Sequence, residues 1–240
     1  MISAIVDILS LVVGATSVLP SQQSQSTHAS VIAAPRTDPG ILERQALCIQ
    51  RAKESAPVAL VFVGDSITQG WEDAGAASWK ATFAEEGALN LGVSGDRTEH
   101  VLYRLQEAPL TRLHPKAVIL LIGTNNLGHG TADARETLDG TVKVIETIRA
   151  QVPDATLIAC ATFPRGERFN QQRGDILQVN QAVARRFASD EHVVCLDLGS
   201  KFLDPDGSIP RSLMPDYLHL SPEGYAVWAT GVKHALTKRP

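Results

Sequence analysis

The sequence predicts an α/β protein, a flavodoxin-like three-layer α/β/α sandwich built on a five-stranded parallel sheet. Short apolar runs rich in β-branched residues alternate with longer segments whose apolar residues recur at helical spacing. The short runs are apolar on both faces, which is typical of parallel strands covered by helices on two sides. Because crossovers between parallel strands are right-handed, the helices divide between the two faces of the sheet.

The elements follow in regular order along the chain. Pro57 ends a first charged helix, Pro153 marks a turn into a strand, and Ser221 and Pro222 suit the start of a last helix. The predicted strands span 58–63, 88–93, 117–122, 156–161 and 193–196. The helices before the last are predicted at 41–55, 79–86, 97–106, 132–151 and along the stripe Ile176, Val179, Val183 and Phe187.

The composition indicates one domain that binds a small molecule. The chain has 240 residues and a formal net charge of -4, without a run of Lys or Arg. This excludes a basic nucleic-acid surface and a polybasic membrane anchor. Cys48, Cys160 and Cys195 have no C-x-x-C spacing, so we expect buried free thiols.

The N-terminal region differs from the rest of the chain. Residues 1–20 are mostly apolar and 21–30 are polar and of low complexity, so we assign 1–37 to a signal-like segment with a disordered linker. The main domain is assigned to 38–240. If 1–37 contains a signal peptide, the protein is secreted or periplasmic, and otherwise it is cytoplasmic. The apolar run is too short and broken for stable membrane insertion.

Ser66 follows the first predicted strand, in Gly64-Asp65-Ser66. Ligands of parallel α/β sheets bind at the carboxyl ends of the strands, so Ser66 is a candidate nucleophile. Asp and Ser also commonly cap the helix that follows a strand. The tripeptide alone leaves both interpretations open.

A serine nucleophile needs a base and an orienting carboxylate. Asp216 and His219 share one short loop before the last helix, where the carboxylate can hold one ring nitrogen while the other faces Ser66. His129, between two glycines after the third strand, is the second candidate. The other histidines lie in the linker or on charged segments predicted at the surface: His28, His100, His114, His192 and His234.

Two further loops follow strand ends. Gly95 can bring a bare backbone N–H close to a ligand, and Asn125 offers an amide side chain. Gly and Asn are also ordinary turn residues, so each loop is equally compatible with a simple turn. Four such loops in this order at strand ends nevertheless favour a common site.

In this arrangement the chain resembles the SGNH, or GDSL, hydrolases. The matching blocks are Gly64-Asp65-Ser66, Gly95, Gly123-Thr124-Asn125-Asn126, and Asp216 to His219. The resemblance runs from about Ile41 to the end of the chain. In segments 90–105, 164–166 and 217–225 it is strongest to the catalytic subunits of intracellular platelet-activating-factor acetylhydrolase and their bacterial relatives.

The resemblance implies a role for each matching residue. Ser66 is then the nucleophile, His219 the acid and base, and Asp216 its orienting carboxylate. The N–H groups of Ser66 and Gly95 and the Asn125 side chain form the oxyanion hole. Many members carry Asp where this chain has Asn126, but the acetylhydrolase branch shares the asparagine.

The implied function is a metal-independent serine esterase that hydrolyses small acyl esters, above all acetyl esters, through an acyl-enzyme and without a cofactor. Its candidate substrates are acetylated carbohydrates and acetylated phospholipids. The alternatives are a lysophospholipase or thioesterase acting on longer chains, and a binding module without activity. The expected partner is a small acyl ester, and a homodimer is left open.

Residues that flank these blocks are predicted to contact the substrate. Core packing is the usual role of side chains such as Phe163 and Met214, so that alternative applies to them. The predicted contact residues are Asp65, Trp71, Asn126, Leu127, Phe163 and Met214.

Overall fold

The computed structural model describes residues 27–55 and 57–237. Its strands are β1 Leu60–Gly64, β2 Ala88–Gly92, β3 Ala117–Leu121, β4 Thr156–Cys160 and β5 Val193–Leu196. Its α-helices are α1 Pro39–Glu54, α2 Ser66–Gln69, α3 Ala76–Thr82, α4 Thr98–Glu107, α5 Thr124–Gly128, α6 Ala134–Gln151, α7 Gln171–Arg186 and α8 Pro222–Thr237. The predicted signal-like segment at 1–20 lies outside the described residues.

The five strands form one sheet in the order β2-β1-β3-β4-β5, and every neighbouring pair is parallel. The predicted fold class is therefore confirmed. In this register Gly64 of β1 pairs with Gly92 of β2 on one side and with Leu121 of β3 on the other. The loops that follow these three strands consequently begin side by side at one edge of the sheet.

The core divides into two apolar layers, one on each face of the sheet. One layer is built by residues of α1, α4, α6 and α7, with Val61 and Leu120 from the strands. The other contains an aromatic cluster beneath α2, α3 and α8 in which Trp71 packs 4.8 Å from Trp228 and 4.7 Å from Tyr225, between ring centroids. Aromatic pairs add about 0.5–1.5 kcal/mol to the burial of their area, so this cluster fixes the turn that follows α2 against α8.

Glycine at the ends of β1 and β2 lets α2 lie close to the sheet. A Cβ at Gly92 would collide with the backbone of Gln69, and one at Gly64 would collide with the Leu121 carbonyl. Because neither position carries a side chain, the α2 backbone approaches the end of β2 directly. This brings the loop after β1 next to the loop after β2.

The prediction of a disordered linker is wrong for residues 27–37. Ser30 is buried, its carbonyl accepts a hydrogen bond from Thr98 Oγ1 at 2.8 Å, and Ala34 N donates to the Glu99 carbonyl at 3.1 Å. The segment lacks apolar periodicity, and specific polar contacts rather than an apolar stripe hold it. We call residues 27–38, which precede α1, the N-terminal arm.

Two other expectations from the sequence are wrong. His100 is buried rather than on the surface, because its charged neighbours on α4, Glu99 and Arg104, are buried as well. Cys195 is exposed, because it lies on the edge strand β5, whereas Cys48 and Cys160 are buried as predicted. Across the part of the chain described here, no helix has the length and apolar character needed to cross a membrane.

Candidate active site

Ser66, His219 and Asp216 form a hydrogen-bonded chain at the carboxyl edge of the sheet. Ser66 Oγ lies 3.0 Å from His219 Nε2, and His219 Nδ1 lies 2.7 Å from Asp216 Oδ2. The structure therefore joins Ser66 to the two residues that the sequence places together on another loop. His129, the second candidate base, is exposed on the loop after α5.

The loop that carries Asp216 and His219 is held by its own carboxylate. Asp216 Oδ1 accepts backbone hydrogen bonds from His219 N at 2.8 Å and Leu218 N at 3.1 Å. Partial burial raises the pKa of Asp216, but hydrogen bonds from His219 outweigh that effect and hold this pKa below its usual value. One carboxylate thus orients both the imidazole ring and the backbone of the loop.

Tyr217 fixes the turn between these two residues. Its φ of 62° is left-handed, which is unfavourable for a residue with a large side chain. Its hydroxyl accepts from Arg211 Nε at 2.8 Å, with the guanidinium carbon 4.9 Å from the ring centroid. The Tyr217 carbonyl accepts from Gly166 N at 2.8 Å. These contacts hold the turn that separates Asp216 from His219.

Ser66 is the first residue of α2, where a backbone N–H has no acceptor within the helix. The preceding Asp65 caps the helix by accepting from Ile67 N at 3.0 Å. Tyr225 donates its hydroxyl to the Ile67 carbonyl at 2.7 Å, which attaches α2 to α8. Both interpretations of the Asp65-Ser66 pair therefore hold, since Asp65 caps the helix and Ser66 contacts the histidine.

The two remaining predicted oxyanion donors come from the loops after β2 and β3. Gly95 has a φ of 71°, a left-handed conformation that glycine adopts without strain. Asn125 is buried, and its Nδ2 donates to the Asp96 carbonyl at 3.0 Å. An amide has two N–H bonds, so the second stays available for a ligand.

Asp96 anchors the loop that contains Gly95. Its Oδ2 accepts from Arg104 Nη2 at 2.8 Å and from Arg104 Nε at 3.0 Å. The same guanidinium donates to the Leu91 carbonyl at 2.8 Å, and Gln69 Oε1 accepts from Ser94 N at 2.8 Å. These contacts join residues distant in sequence, so spacing alone did not reveal Gln69 or Arg104 as supports of the site.

The structure buries all six residues that are predicted to contact the substrate, and that contact stays a prediction. The apolar members pack in the core: Trp71, Leu127, Phe163 and Met214 expose 1%, 7%, 2% and 0% of their surface. Asn126 donates to Thr98 Oγ1 at 3.0 Å, and Asp65 caps α2. Core packing, hydrogen bonding and helix capping therefore account for these residues beside the motifs.

Asp65 is buried next to Ser66 with only part of its carboxylate satisfied. Its Oδ2 has no hydrogen-bond partner among the residues that the structure describes. Burial raises the pKa of Asp65 to about 7, and the nearby Asp96 adds to this, whereas the Ile67 N–H and Arg165 oppose it. The group is therefore half protonated near neutral pH.

This raised pKa predicts that stability depends on pH. In the unfolded chain Asp titrates near pH ~4, so between about pH 4 and 7 the unfolded state releases a proton that the folded state keeps. Stability from this group is thus greatest below pH ~4 and falls until about pH 7. Asp65→Asn keeps the Oδ1 acceptor and removes the titration. The melting temperature of this variant should therefore fall less between pH 5 and 8 than that of the wild type.

The matched control is Asp133→Asn, which changes an exposed N-cap, that of α6. Thermal unfolding of the three proteins across this pH range measures the effect. Parallel curves for the wild type and Asp65→Asn would rule out a buried, titrating Asp65.

The geometry matches the chemistry of a serine hydrolase. A hydroxyl hydrogen-bonded to an imidazole that is oriented by a carboxylate can attack a carbonyl carbon, and nearby N–H donors can hold the resulting oxyanion. In the part of the chain that the structure describes, no three His, Cys, Asp or Glu residues cluster as metal ligands would.

Comparisons with known proteins place the chain within this class. Residues 62–227 match the model of the GDSL-like Lipase/Acylhydrolase family. Platelet-activating factor acetylhydrolase IB subunit alpha1 of Homo sapiens is 35% identical over 174 residues, 72% of this chain and 73% of the relative. The alpha2 subunit of Rattus norvegicus is 36% identical over 72% of this chain and 73% of that protein. The chain belongs to the GDSL-like lipase/acylhydrolase family and is a serine ester hydrolase.

Solved structures show the same fold. A GDSL-like lipase from Bacteroides thetaiotaomicron superposes with a TM-score of 0.67 at 20% identity, covering 82% of this chain and 98% of that one. A catalytic mutant of an acetylxylan esterase from Geobacillus stearothermophilus gives a TM-score of 0.57 at 20% identity, with coverage of 76% and 95%. At this identity the likeness concerns the fold alone.

Proposed function

We propose that the protein hydrolyses acetyl and other short acyl esters through an acyl-enzyme on Ser66. Ser66 Oγ attacks the ester carbonyl carbon while His219 Nε2 takes its proton. The N–H groups of Ser66 and Gly95 and the Asn125 amide receive the oxyanion. His219 then donates this proton to the departing alcohol, and the acyl group remains on Ser66.

The second half of the reaction reverses these roles. Water attacks the acyl carbon as His219 removes its proton, and the tetrahedral intermediate collapses with the proton passing to Ser66 Oγ. The carboxylic acid leaves and the free serine is restored. Asp216 holds the imidazole ring in place and stabilises it when it is charged.

The burial of the apolar side chains beside the site is the observation that carries the preference for a short acyl group. Trp71, Leu127, Phe163 and Met214 expose at most 7% of their surface. A longer chain gains ~0.8 kcal/mol per methylene only where it leaves water for an apolar surface. Since these side chains already pack against the core, they offer little surface to such a chain. The named acetylhydrolase relatives at 35% and 36% identity support the same preference.

We expect kcat/KM to decrease from acetate through butyrate to octanoate in a series of p-nitrophenyl esters. The chromophore is the same throughout, so the comparison isolates the acyl chain. A best rate with octanoate would contradict the proposal and favour a lysophospholipase or thioesterase. Absence of hydrolysis for the whole series would favour a binding module.

The alcohol part of the ester is identified separately. Acetate release from an acetylated oligosaccharide and from an acetylated phospholipid, compared at equal ester concentration, assigns the protein to one substrate class or the other. The Ser66→Ala variant provides the background rate for each substrate.

A further inference from the structure

The N-terminal arm, residues 27–38, docks on α1 and on the segments that hold the predicted oxyanion donors Gly95 and Asn125. Asn126 Nδ2 donates to Ser30 Oγ at 3.3 Å, and Arg36 N donates to Gln45 Oε1 at 2.9 Å. The match to the family model begins at residue 62, so the arm lies outside it. The arm is therefore an addition to the matched region that reaches its catalytic edge.

Arg36 of the arm contacts the loop that contains Gly95. Its Nη1 donates to the Ser94 carbonyl at 2.7 Å and lies 3.3 Å from Asp96 Oδ1, while Nη2 donates to Asp38 Oδ2 at 2.9 Å. The side chain is only 10% exposed. The guanidinium covers Gly95 so closely that a Cβ there would lie 3.0 Å from Nη1 and 3.2 Å from Nη2.

The Ser94 carbonyl and the Gly95 N–H belong to the same peptide group. A trans peptide is planar, so its C=O and N–H point in opposite directions. Holding the carbonyl oxygen on the side of Arg36 therefore turns the Gly95 N–H to the opposite side. A hydrogen bond from a cation also polarises the peptide, which strengthens its N–H as a donor.

We propose that Arg36 is a positioning residue of the oxyanion hole, which acts by fixing and polarising the Ser94–Gly95 peptide. This inference rests on the proposed function, because it takes Gly95 N–H as a donor to the oxyanion. Arg36 makes no hydrogen bond to Ser66 and is assigned no direct role in the reaction. Glycine at 95 tolerates more than one orientation of this peptide, and the hydrogen bond from Arg36 to the Ser94 carbonyl favours one of them.

The two carboxylates that contact Arg36 do not depend on it. Asp96 keeps two hydrogen bonds from Arg104 when Arg36 is removed, so the buried carboxylate stays paired. Asp38 is exposed and can be solvated by water. The contact without a substitute is the one to the Ser94 carbonyl, which concerns the orientation of Gly95 N–H.

Arg44 provides a matched control on the same side of the sheet. Its Nε donates to the Gly92 carbonyl at 2.9 Å, its terminal nitrogens pair with Glu72, and its side chain is 12% exposed. Arg36 and Arg44 are thus buried to a similar extent, and each pairs with a carboxylate and donates to a backbone carbonyl. They differ in that the peptide after Gly92 supplies no predicted oxyanion donor.

The test compares Arg36→Ala with Arg44→Ala on p-nitrophenyl acetate. Arg36→Ala should lower kcat by about 10- to 100-fold, with KM within about twofold. A wrongly oriented Gly95 N–H stabilises the transition state less, whereas binding of the ground state changes little. Its affinity for a boronic acid that forms a tetrahedral adduct should fall by a similar factor. Arg44→Ala should lose melting temperature but keep kcat per folded molecule within about twofold.

Arg36→Lys and Arg44→Lys repeat the comparison if an alanine variant does not fold. A single ammonium cannot hold Ser94 and both carboxylates, so Arg36→Lys should still lose kcat while Arg44→Lys does not. Unchanged kcat in Arg36→Lys, or equal losses in both pairs, overturns the inference. If Ser66→Ala remains active, the proposed function itself is wrong; an inactive Ser66→Ala with a fully active Arg36→Ala refutes only the role of Arg36.

Discussion

Ser66→Ala and His219→Ala should each lower kcat for p-nitrophenyl acetate by ~10⁴ or more, and the double variant should be little worse than either. The reason is the hydrogen-bonded chain of 3.0 Å and 2.7 Å that joins Ser66, His219 and Asp216. Each member of such a chain works only through its neighbour. Once one is removed, the other has no further effect on the reaction.

His129→Ala is the matched control for His219→Ala. Both histidines are exposed on loops at the carboxyl edge of the sheet, but only His219 contacts Ser66. His129→Ala should keep kcat within about twofold. Near-wild-type turnover in His219→Ala, together with a loss in His129→Ala, would transfer the role of base to His129.

Asn125→Ala should lower kcat by about 10² to 10³, with a smaller change in KM. The oxyanion exists only after Ser66 has attacked, so a donor directed at it strengthens in the transition state. One N–H of Asn125 is used by the Asp96 carbonyl at 3.0 Å, which fixes the amide and leaves the second N–H free for the oxyanion. The loss should be smaller than that of Ser66, because the two backbone donors remain.

A control variant at the neighbouring Asn126 distinguishes an effect on catalysis from an effect on folding. Asn126 is also buried and donates to Thr98 Oγ1 and Ser30 Oγ, so Asn126→Ala should lower the melting temperature and leave kcat per folded molecule nearly unchanged. Kinetics and thermal unfolding are measured on the same samples. A lower melting temperature with unchanged kcat in Asn125→Ala would remove Asn125 from the mechanism.

The fold could be predicted because its signals are local. Strands such as β1 and β3 are apolar on both faces, a pattern that only a sheet covered on two sides explains. The start of α8 was marked by Ser221 and Pro222, whose preferences depend on a few neighbouring residues. The loops with Ser66, Gly95 and Asn125 could be placed together because parallel strands end at a common edge.

The pocket and the N-terminal arm could not be predicted, because long-range packing decides them. An apolar residue beside a motif can face the substrate or the core. Trp71 and Phe163 both pack against Trp228 in the aromatic cluster of the core. Arg36 and Ser94 are 58 residues apart, so no spacing rule connects them. His100 was misplaced because charged neighbours on a helix usually indicate a surface, whereas here they are buried together.

The proposed mechanism requires that Ser66 carries the acyl group. It is tested most directly by reaction with a fluorophosphonate, which loses fluoride to an activated serine and forms a stable phosphonyl ester. Peptide mass spectrometry should locate one adduct per chain on Ser66, with activity lost in proportion to labelling and no adduct in Ser66→Ala. An adduct on another residue, or full labelling of Ser66→Ala, would contradict the claim.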